Sequence, residues 1–169
     1  MKGNSIIRKM IESDTEHLSQ GFINQGWLGR EEILDRYFLE QECGEREVLV
    51  AEVEGALAGY ITILPCAKQG PFAEIYPELS DFNVFEPFQN QGIGNLLMEE
   101  AEKQVRLISD KVTLGVGLHS GYGPAQRLYI KRGYIPDGTG VWYQNHPVAM
   151  KATCEDIGDL VLYLSKDLI

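Results

Sequence analysis

The feature that most restricts the fold is a polar, glycine-bearing turn, Gln89-Asn90-Gln91-Gly92-Ile93-Gly94, set between a strand-like run (Leu79 to Phe85) and a helix-like run (Asn95 to Ile108). A chain that enters a helix this way turns the first backbone amides outward, and those N–H groups have no intrahelical acceptor. The helix dipole adds partial positive charge at the same end, so a phosphate or pyrophosphate would satisfy both. Gly92 and Gly94 matter because a side chain there would hold the backbone away from such a ligand. On these six residues alone the better reading is a plain turn that ends a strand and starts a helix, since short glycine patterns recur by chance.

The remaining periodicities set this turn in a mixed order of strands and helices. Ser5 to Met10 reads as a first strand that turns at Glu12-Ser13-Asp14, with Asp14 able to cap a helix starting there. His17, Leu18, Phe22 and Ile23 lie near helical spacing up to Gly26, and Ile33, Leu34, Tyr37 and Phe38 repeat the pattern within Glu31 to Glu42. Glu47 to Glu54 and Ala56 to Leu64 flank Glu54-Gly55 as an antiparallel hairpin that Pro65 ends. Gly70-Pro71 marks a loop within Cys66 to Pro77.

Alternation in Leu79 to Phe85 puts Leu79, Asp81 and Asn83 on one face and Ser80, Phe82 and Val84 on the other. A carboxylate inside this apolar strand admits three readings for Asp81: a solvated residue, a structural acceptor, or a base facing a cleft. Asn95 to Ile108 is amphipathic, with Leu97, Ala101, Val105 and Ile108 on its apolar stripe.

Lys111 to Leu118 is a buried-type strand. Its Gly115-Val116-Gly117 is not a dinucleotide fingerprint, because Leu118-His119-Ser120-Gly121 does not complete the motif and the glycines lie within the strand. Gly123-Pro124 opens a further helix that Gly133 closes after Arg132. Strand-like pieces at Tyr134 to Pro136 and Gly140 to Tyr143 surround Asp137-Gly138. Asn145 to Asp159 shows no period, and Leu160 to Leu164 reads as a buried last strand.

Composition narrows the function classes. A chain of 169 residues is the size of one domain, and 44% apolar against 24% charged residues is ordinary for a globular protein, so residues 1–169 are expected to form a single domain. A net charge of -10 argues against a nucleic-acid partner and suits a cationic small molecule or basic peptide. Cys43, Cys66 and Cys154 are odd in number and unpaired by spacing, which suggests free thiols in a reducing compartment. His17, His119 and His146 show no ligand spacing, so no metal is expected. No apolar run approaches membrane-spanning length, so no membrane partner and a cytoplasmic location are the simplest expectation.

Written as QxxGxG, the turn resembles the coenzyme A pyrophosphate loop of the GNAT superfamily of N-acetyltransferases. A second segment, Ala125-Gln126-Arg127-Leu128-Tyr129-Ile130-Lys131-Arg132-Gly133-Tyr134, resembles the same family's AxxLYxxxGF signature, with Tyr134 in the aromatic place. The two motifs stand in the family's order and separation, and the resemblance runs from the hairpin at Glu47 through Tyr134.

It implies an α/β (mixed α+β) GNAT-like fold: a strongly twisted mixed sheet of six to seven strands with helices on both faces. It also implies acetyl-CoA as co-substrate and a small-molecule or peptide amine as acceptor. Gln89, Asn90, Gln91, Gly92, Ile93, Gly94 and Asn95 would hold the pyrophosphate, and Tyr122 and Ala125 would lie on the coenzyme. Phe82, Asn83 and Val84 would pair with the pantetheine arm, the Val84 amide polarising the thioester carbonyl.

Tyr129 takes the place of the family's signature tyrosine, which protonates the departing thiolate. Without the resemblance it reads as a core aromatic. Asp81 is the first candidate base, with Glu78 and Glu74 behind it, and Trp27, Tyr37 and Phe38 are candidates for acceptor contact or for packing on the sheet. Two departures from the family pattern are visible: the loop has no basic residue before its glycine, and Tyr122 replaces a common Asn. They leave open a module that binds CoA or an acyl-CoA without catalysis. A homodimer, formed through the last strand and the Val141 to Asp159 excursion, is also left open.

Overall fold

The computed structural model describes residues 4–169. Among the described residues one eight-stranded sheet runs in the order β1-β2-β3-β4-β5-β8-β6-β7, accompanied by four α-helices. Among the described residues the chain's contacts group into two compact units, residues 4–65 with 80–104 and residues 66–79 with 105–169.

In the first unit, β1 (Ser5–Lys9), β2 (Glu47–Val53) and β3 (Ala56–Leu64) form an antiparallel ladder. The hairpin closes through Glu54 and Gly55, with φ of 50° and 86°, the paired left-handed conformation that suits a two-residue β-hairpin. Helices α1 (Asp14–Asn24) and α2 (Glu31–Glu42) stand where their apolar spacing places them. Leu18, Phe22, Leu34 and Tyr37 from these helices meet Val48, Val50, Tyr60 and Phe85 in one buried cluster. Phe22 is 1% exposed and its ring meets Phe85 edge-on at 5.2 Å, so this side chain alone gains about 2–3 kcal/mol from burial. Gly21 leaves room for the pair, since a Cβ there would lie 2.5 Å from the Phe85 ring.

Asp14 is the first residue of α1 and does not cap it. Its carboxylate accepts from Ile11 N (2.9 Å) and from both terminal nitrogens of Arg8 (2.7 and 3.0 Å), which ties the helix start back to β1.

β4 (Glu78–Val84) leads through a short 3-10 turn, Glu86–Phe88, into α3 (Ile93–Arg106). In the second unit Glu78 and Leu79 of β4 pair in parallel with Thr113 and Leu114 of β5 (Lys111–Gly117). β5 then pairs along its whole length with β8 (Leu160–Asp167). Gly115 and Gly117 are there for room. A Cβ on Gly115 would come within 2.9 Å of Val161 and 3.1 Å of the Tyr163 ring, and one on Gly117 within 2.5 Å of the Tyr122 ring.

A 3-10 turn, Ser120–Tyr122, precedes α4 (Gly123–Lys131). The two strand pieces expected around Asp137-Gly138 form one strand, β6 (Ile135–Tyr143), whose register against β8 shifts between Pro136 and Val141. The expected six to seven strands become eight because of β7 (His146–Pro147), a two-residue strand inside the segment read as shapeless. Gln144 and Asn145, with φ of 47° and 62°, make the tight turn that pairs it with β6, and neither residue carries the glycine that usually announces such a turn.

Candidate active site

The first unit holds residues 80–85 of the strand that the sequence singles out, and the turn that follows it. Asp81 sits in β4 with φ of 44°, a left-handed conformation rare for a non-glycine residue and rarer inside a strand. The surroundings hold it there. Arg30 donates to both carboxylate oxygens (3.0 and 2.7 Å), the Tyr37 and Tyr60 hydroxyls donate at 2.9 and 3.0 Å, and Asn83 Nδ2 donates at 2.8 Å. The bond from Asn83 agrees with the expected shared face for these two residues.

One residue earlier, the Ser80 carbonyl accepts from Thr62 Oγ1 (2.8 Å), which itself accepts from Arg46 (2.7 Å). The Arg46 guanidinium lies 4.1 Å over the Tyr37 ring and bonds Glu40 at 2.5 Å. The kink is thus clamped on both sides. Burial chiefly, and then the charge of Asp81, raise the phenol pKa values of Tyr37 and Tyr60 above the ordinary value. Burial opposes the charge on Arg30, but the bonds to Asp81 more than offset it, so its pKa is raised as well.

Phe82, Asn83 and Val84 are half-buried. β3 approaches them closely, for a Cβ on Gly59 would fall 2.2 Å from the Asn83 carbonyl oxygen and 2.9 Å from Val84 Cα. The Gln89 amide reaches back to the Val84 carbonyl (2.9 Å) and Gln91 to that of Pro87 (2.8 Å), so the two loop glutamines brace the turn.

Asn90 and Gly92 both adopt positive φ, 59° and 87°. Nothing lies within 4 Å of the position a Gly92 Cβ would take. Ile93 is buried and pins the start of α3, while Asn90, Gln91, Gly92 and Asn95 are exposed. The first bond into the helix runs from Leu96 N to Gly92 O (3.2 Å), so the N–H groups of Gly92, Ile93 and Gly94 precede any intrahelical acceptor. No carboxylate occupies that first turn. The turn therefore fits an anion such as a pyrophosphate.

The second unit carries the other candidates. Tyr122 is 43% exposed, lies over Gly117 and precedes α4, while Ala125 is half-buried on that helix. Tyr129 is 8% exposed, with its ring 5.9 Å from that of Tyr134. Burial alone raises its phenol pKa well above the usual tyrosine value, so it keeps its proton at neutral pH. Gln126 donates to the Gly117 carbonyl (2.9 Å) and ties α4 to the end of β5.

Among the acceptor-side aromatics, Trp27 is 58% exposed, Phe38 packs against the first unit's core, and Tyr37 is bound to Asp81. Sequence reasoning missed Arg30 and Tyr60, which converge on Asp81 from elsewhere in the chain. An arginine just ahead of a helix and a tyrosine in a buried strand give no local signal of a shared partner. A hollow of the first unit, about 630 Å³ among α1, the β2–β3 turn and Phe85–Phe88, includes neither Asp81 nor Gly92. Among the described residues no helix is long and apolar enough to cross a membrane, and no three His, Cys, Asp or Glu residues gather as a metal-binding group.

Residues 14–134 match the model of the acetyltransferase (GNAT) family. Solved structures share the architecture at low identity. A protein assigned to the GNAT family from Desulfovibrio desulfuricans superposes with a TM-score of 0.74 at 18% identity, over 98% of this chain and 100% of that one. A ribosomal-protein-alanine N-acetyltransferase from Brucella melitensis gives 0.70 at 21% identity, over 96% and 99%. The YncA protein of Salmonella typhimurium, solved with its cofactor acetyl-CoA, gives 0.66 at 19% identity, over 98% and 94%. A search of curated proteins by sequence returns no match.

Proposed function

We infer the activity from one premise: this chain belongs to the GNAT family of acetyltransferases, and we propose that it moves an acetyl group from acetyl-CoA to a primary amine of a small molecule or peptide. The observation that supports this most is the start of α3: N–H groups ahead of the first intrahelical acceptor, a Gly92 with open space at its Cβ position, and a first turn without carboxylates. In this reading the Gly92, Ile93 and Gly94 amides hold the pyrophosphate without help from a basic side chain, and Asn90 and Gln91 contribute hydrogen bonds. Backbone groups of Phe82 to Val84 align the pantetheine arm, and the Val84 amide polarises the thioester carbonyl. Tyr122 and Ala125 lie against the coenzyme.

When bound, acetyl-CoA supplies an activated acyl group: a C–N bond to the amine forms as the C–S bond breaks. The arriving ammonium first gives up one proton to the base; after attack Tyr129 gives its proton to the departing sulfur, and the second proton shed by the nitrogen returns to the phenolate through solvent. A phenol normally holds its proton more tightly than a thiol, near pKa 10 against about 8.5, so this transfer draws on the fixed geometry of the site. Asp81, already accepting five hydrogen bonds, is in this reading the anchor of the β4 kink. The base role then passes to Glu78, whose charge is felt at Tyr163, with Glu74 behind it.

Thiol release from acetyl-CoA in the presence of a panel of amines tests the proposal. The absence of release above background for every amine, together with no measurable CoA binding, would remove it. The occupied Asp81 favours one second reading, a CoA-binding module without turnover. That reading predicts saturable acetyl-CoA binding by calorimetry and no acyl transfer on long incubation.

A further inference from the structure

The second unit carries a polar hollow of about 310 Å³ that the acetyl-transfer chemistry does not use. Trp142, Tyr163 and Asp159 line it, with the amides of Gln69, Gln144 and Asn145 at its side, and no lysine, arginine or histidine contributes to its wall. The two rings meet edge to face, 5.6 Å between centroids at 82°. Both are held in place. Trp142 donates its indole N–H to Thr139 Oγ1 (2.8 Å), and the Tyr163 ring rests on Gly70 and Gly115, where a Cβ would intrude to 2.4 and 3.1 Å. Asn145 secures the rim by accepting from Gly70 N (2.8 Å).

The charged groups placed at the hollow are acidic. Asp159 has no ion-pair partner among the described residues, and the charge of Glu78 reaches the Tyr163 hydroxyl, which burial chiefly and that charge secondarily make harder to ionise. Fixed aromatic rings beside a carboxylate without a cation partner suit a desolvated organic cation, which the ring quadrupoles and the carboxylate attract together. An anion or an extended apolar group would find no donor cation and too little apolar wall. The hollow also lies near Tyr122, a candidate coenzyme contact of its own unit. Gly117 pairs with Val161 of the lining, and the Tyr122 hydroxyl lies 4.0 Å from where a Cβ of Gly158, another lining residue, would stand.

We propose that this hollow receives the second cationic group, an ammonium or guanidinium, of an acceptor whose other end carries the amine to be acetylated. The inference deepens the acetyltransferase reading and rests on it for the role of the bound molecule. Cation binding itself can be read without turnover.

The first measurement tracks the indole N–H resonance of Trp142 in the whole protein, distinguished from that of Trp27 by Trp27→Phe, during titration with tetramethylammonium chloride. A saturable shift is expected, absent with potassium chloride at equal ionic strength and with tert-butanol, and weakened about tenfold by the exposed substitution Asp159→Asn. The second compares 1,6-diaminohexane with heptylamine, its uncharged-tail isostere, as acceptors. Asp159→Asn should raise the KM for the diamine about tenfold, leave kcat within about twofold, and leave heptylamine unaffected. The proposal is overturned by no saturable shift, by an equal shift with tert-butanol, by indifference to Asp159→Asn, or by cation binding without any change in diamine KM. Failure of the acetyltransferase reading looks different: no amine then releases thiol, whatever the resonance shows.

Discussion

Replacing Asp81 by Asn separates an anchor from a base. The carboxylate accepts five hydrogen bonds, two from Arg30 and one each from Tyr37, Tyr60 and Asn83. An Asn amide keeps one acceptor oxygen and turns an NH2 group towards donors, so at least two of these bonds are lost and the Arg30 charge is left without its counterion. A hydrogen bond to a charged group contributes about 1.5–3 kcal/mol, and breaking a fully buried ion pair costs about 3–5 kcal/mol. The side chains of Arg30 and Asp81 are 25% and 15% exposed, so water recovers part of this. A net loss of about 2–3 kcal/mol is expected. At about 2–4 °C per kcal/mol for a protein of this size, the melting temperature should fall by about 4–12 °C.

Circular dichroism melts of wild type, Asp81→Asn, Arg30→Met and the double variant provide the assay. The double variant should lose less than the sum of the singles by about 1–2 kcal/mol, because both remove the same pair. A base would behave otherwise: kcat would collapse and the melt would stay in place. A melting temperature within about 1 °C of wild type in Asp81→Asn, accompanied by a large loss of kcat, would refute the anchoring argument.

Tyr129→Phe should lower kcat about 10- to 100-fold while CoA affinity by calorimetry stays within about twofold, since the change removes a proton donor and little binding surface. Gly59→Ala should destabilise by about 2 kcal/mol or more in urea titrations, because the new methyl meets β4 backbone at Asn83 and Val84, which cannot swing aside like a side-chain tip. Stability should also fall as pH rises above about 10. Burial keeps Tyr60 and Tyr129 protonated in the folded state beyond the pH at which an unfolded chain ionises them, so the unfolded state binds fewer protons there. Urea midpoints that decline before phenolate absorbance appears would show this, and a flat profile would count against it.

What could be read in the sequence was whatever local chemistry decides. Helix α2 begins and ends at the expected residues and β3 spans its expected run, because apolar spacing and the Glu54-Gly55 turn act within a few residues. Gly115 and Gly117 lie within β5, as their sequence context implies, but their purpose, room for Tyr122, Val161 and Tyr163, depends on residues that arrive only through the fold. β7 escaped because Gln144 and Asn145 enter the left-handed region without glycine. The Trp142–Tyr163 pair was invisible for a related reason: its members sit on different strands, brought together by the pairing of Trp142 with Val161.

Asp81 shows where the limit lies. Period-two alternation correctly placed it beside Asn83, yet three roles stayed open, because what separates a base from an anchor is the number of donors already committed to the carboxylate. Those donors lie 51, 44 and 21 residues away, at Arg30, Tyr37 and Tyr60, and no local pattern ties them together. The strained backbone adds an independent argument. A left-handed aspartate inside a strand costs on the order of 1–3 kcal/mol and persists only where neighbours over-determine it, and here Thr62 fixes the preceding carbonyl while Arg30 fixes the side chain. Five donors already share the two carboxylate oxygens, which offer about four lone-pair sites between them, so little acceptor capacity is left to face an arriving amine. The same clamps that argue against Asp81 as a base therefore argue for its setting the direction of Phe82 to Val84, the stretch whose backbone the proposed reaction needs.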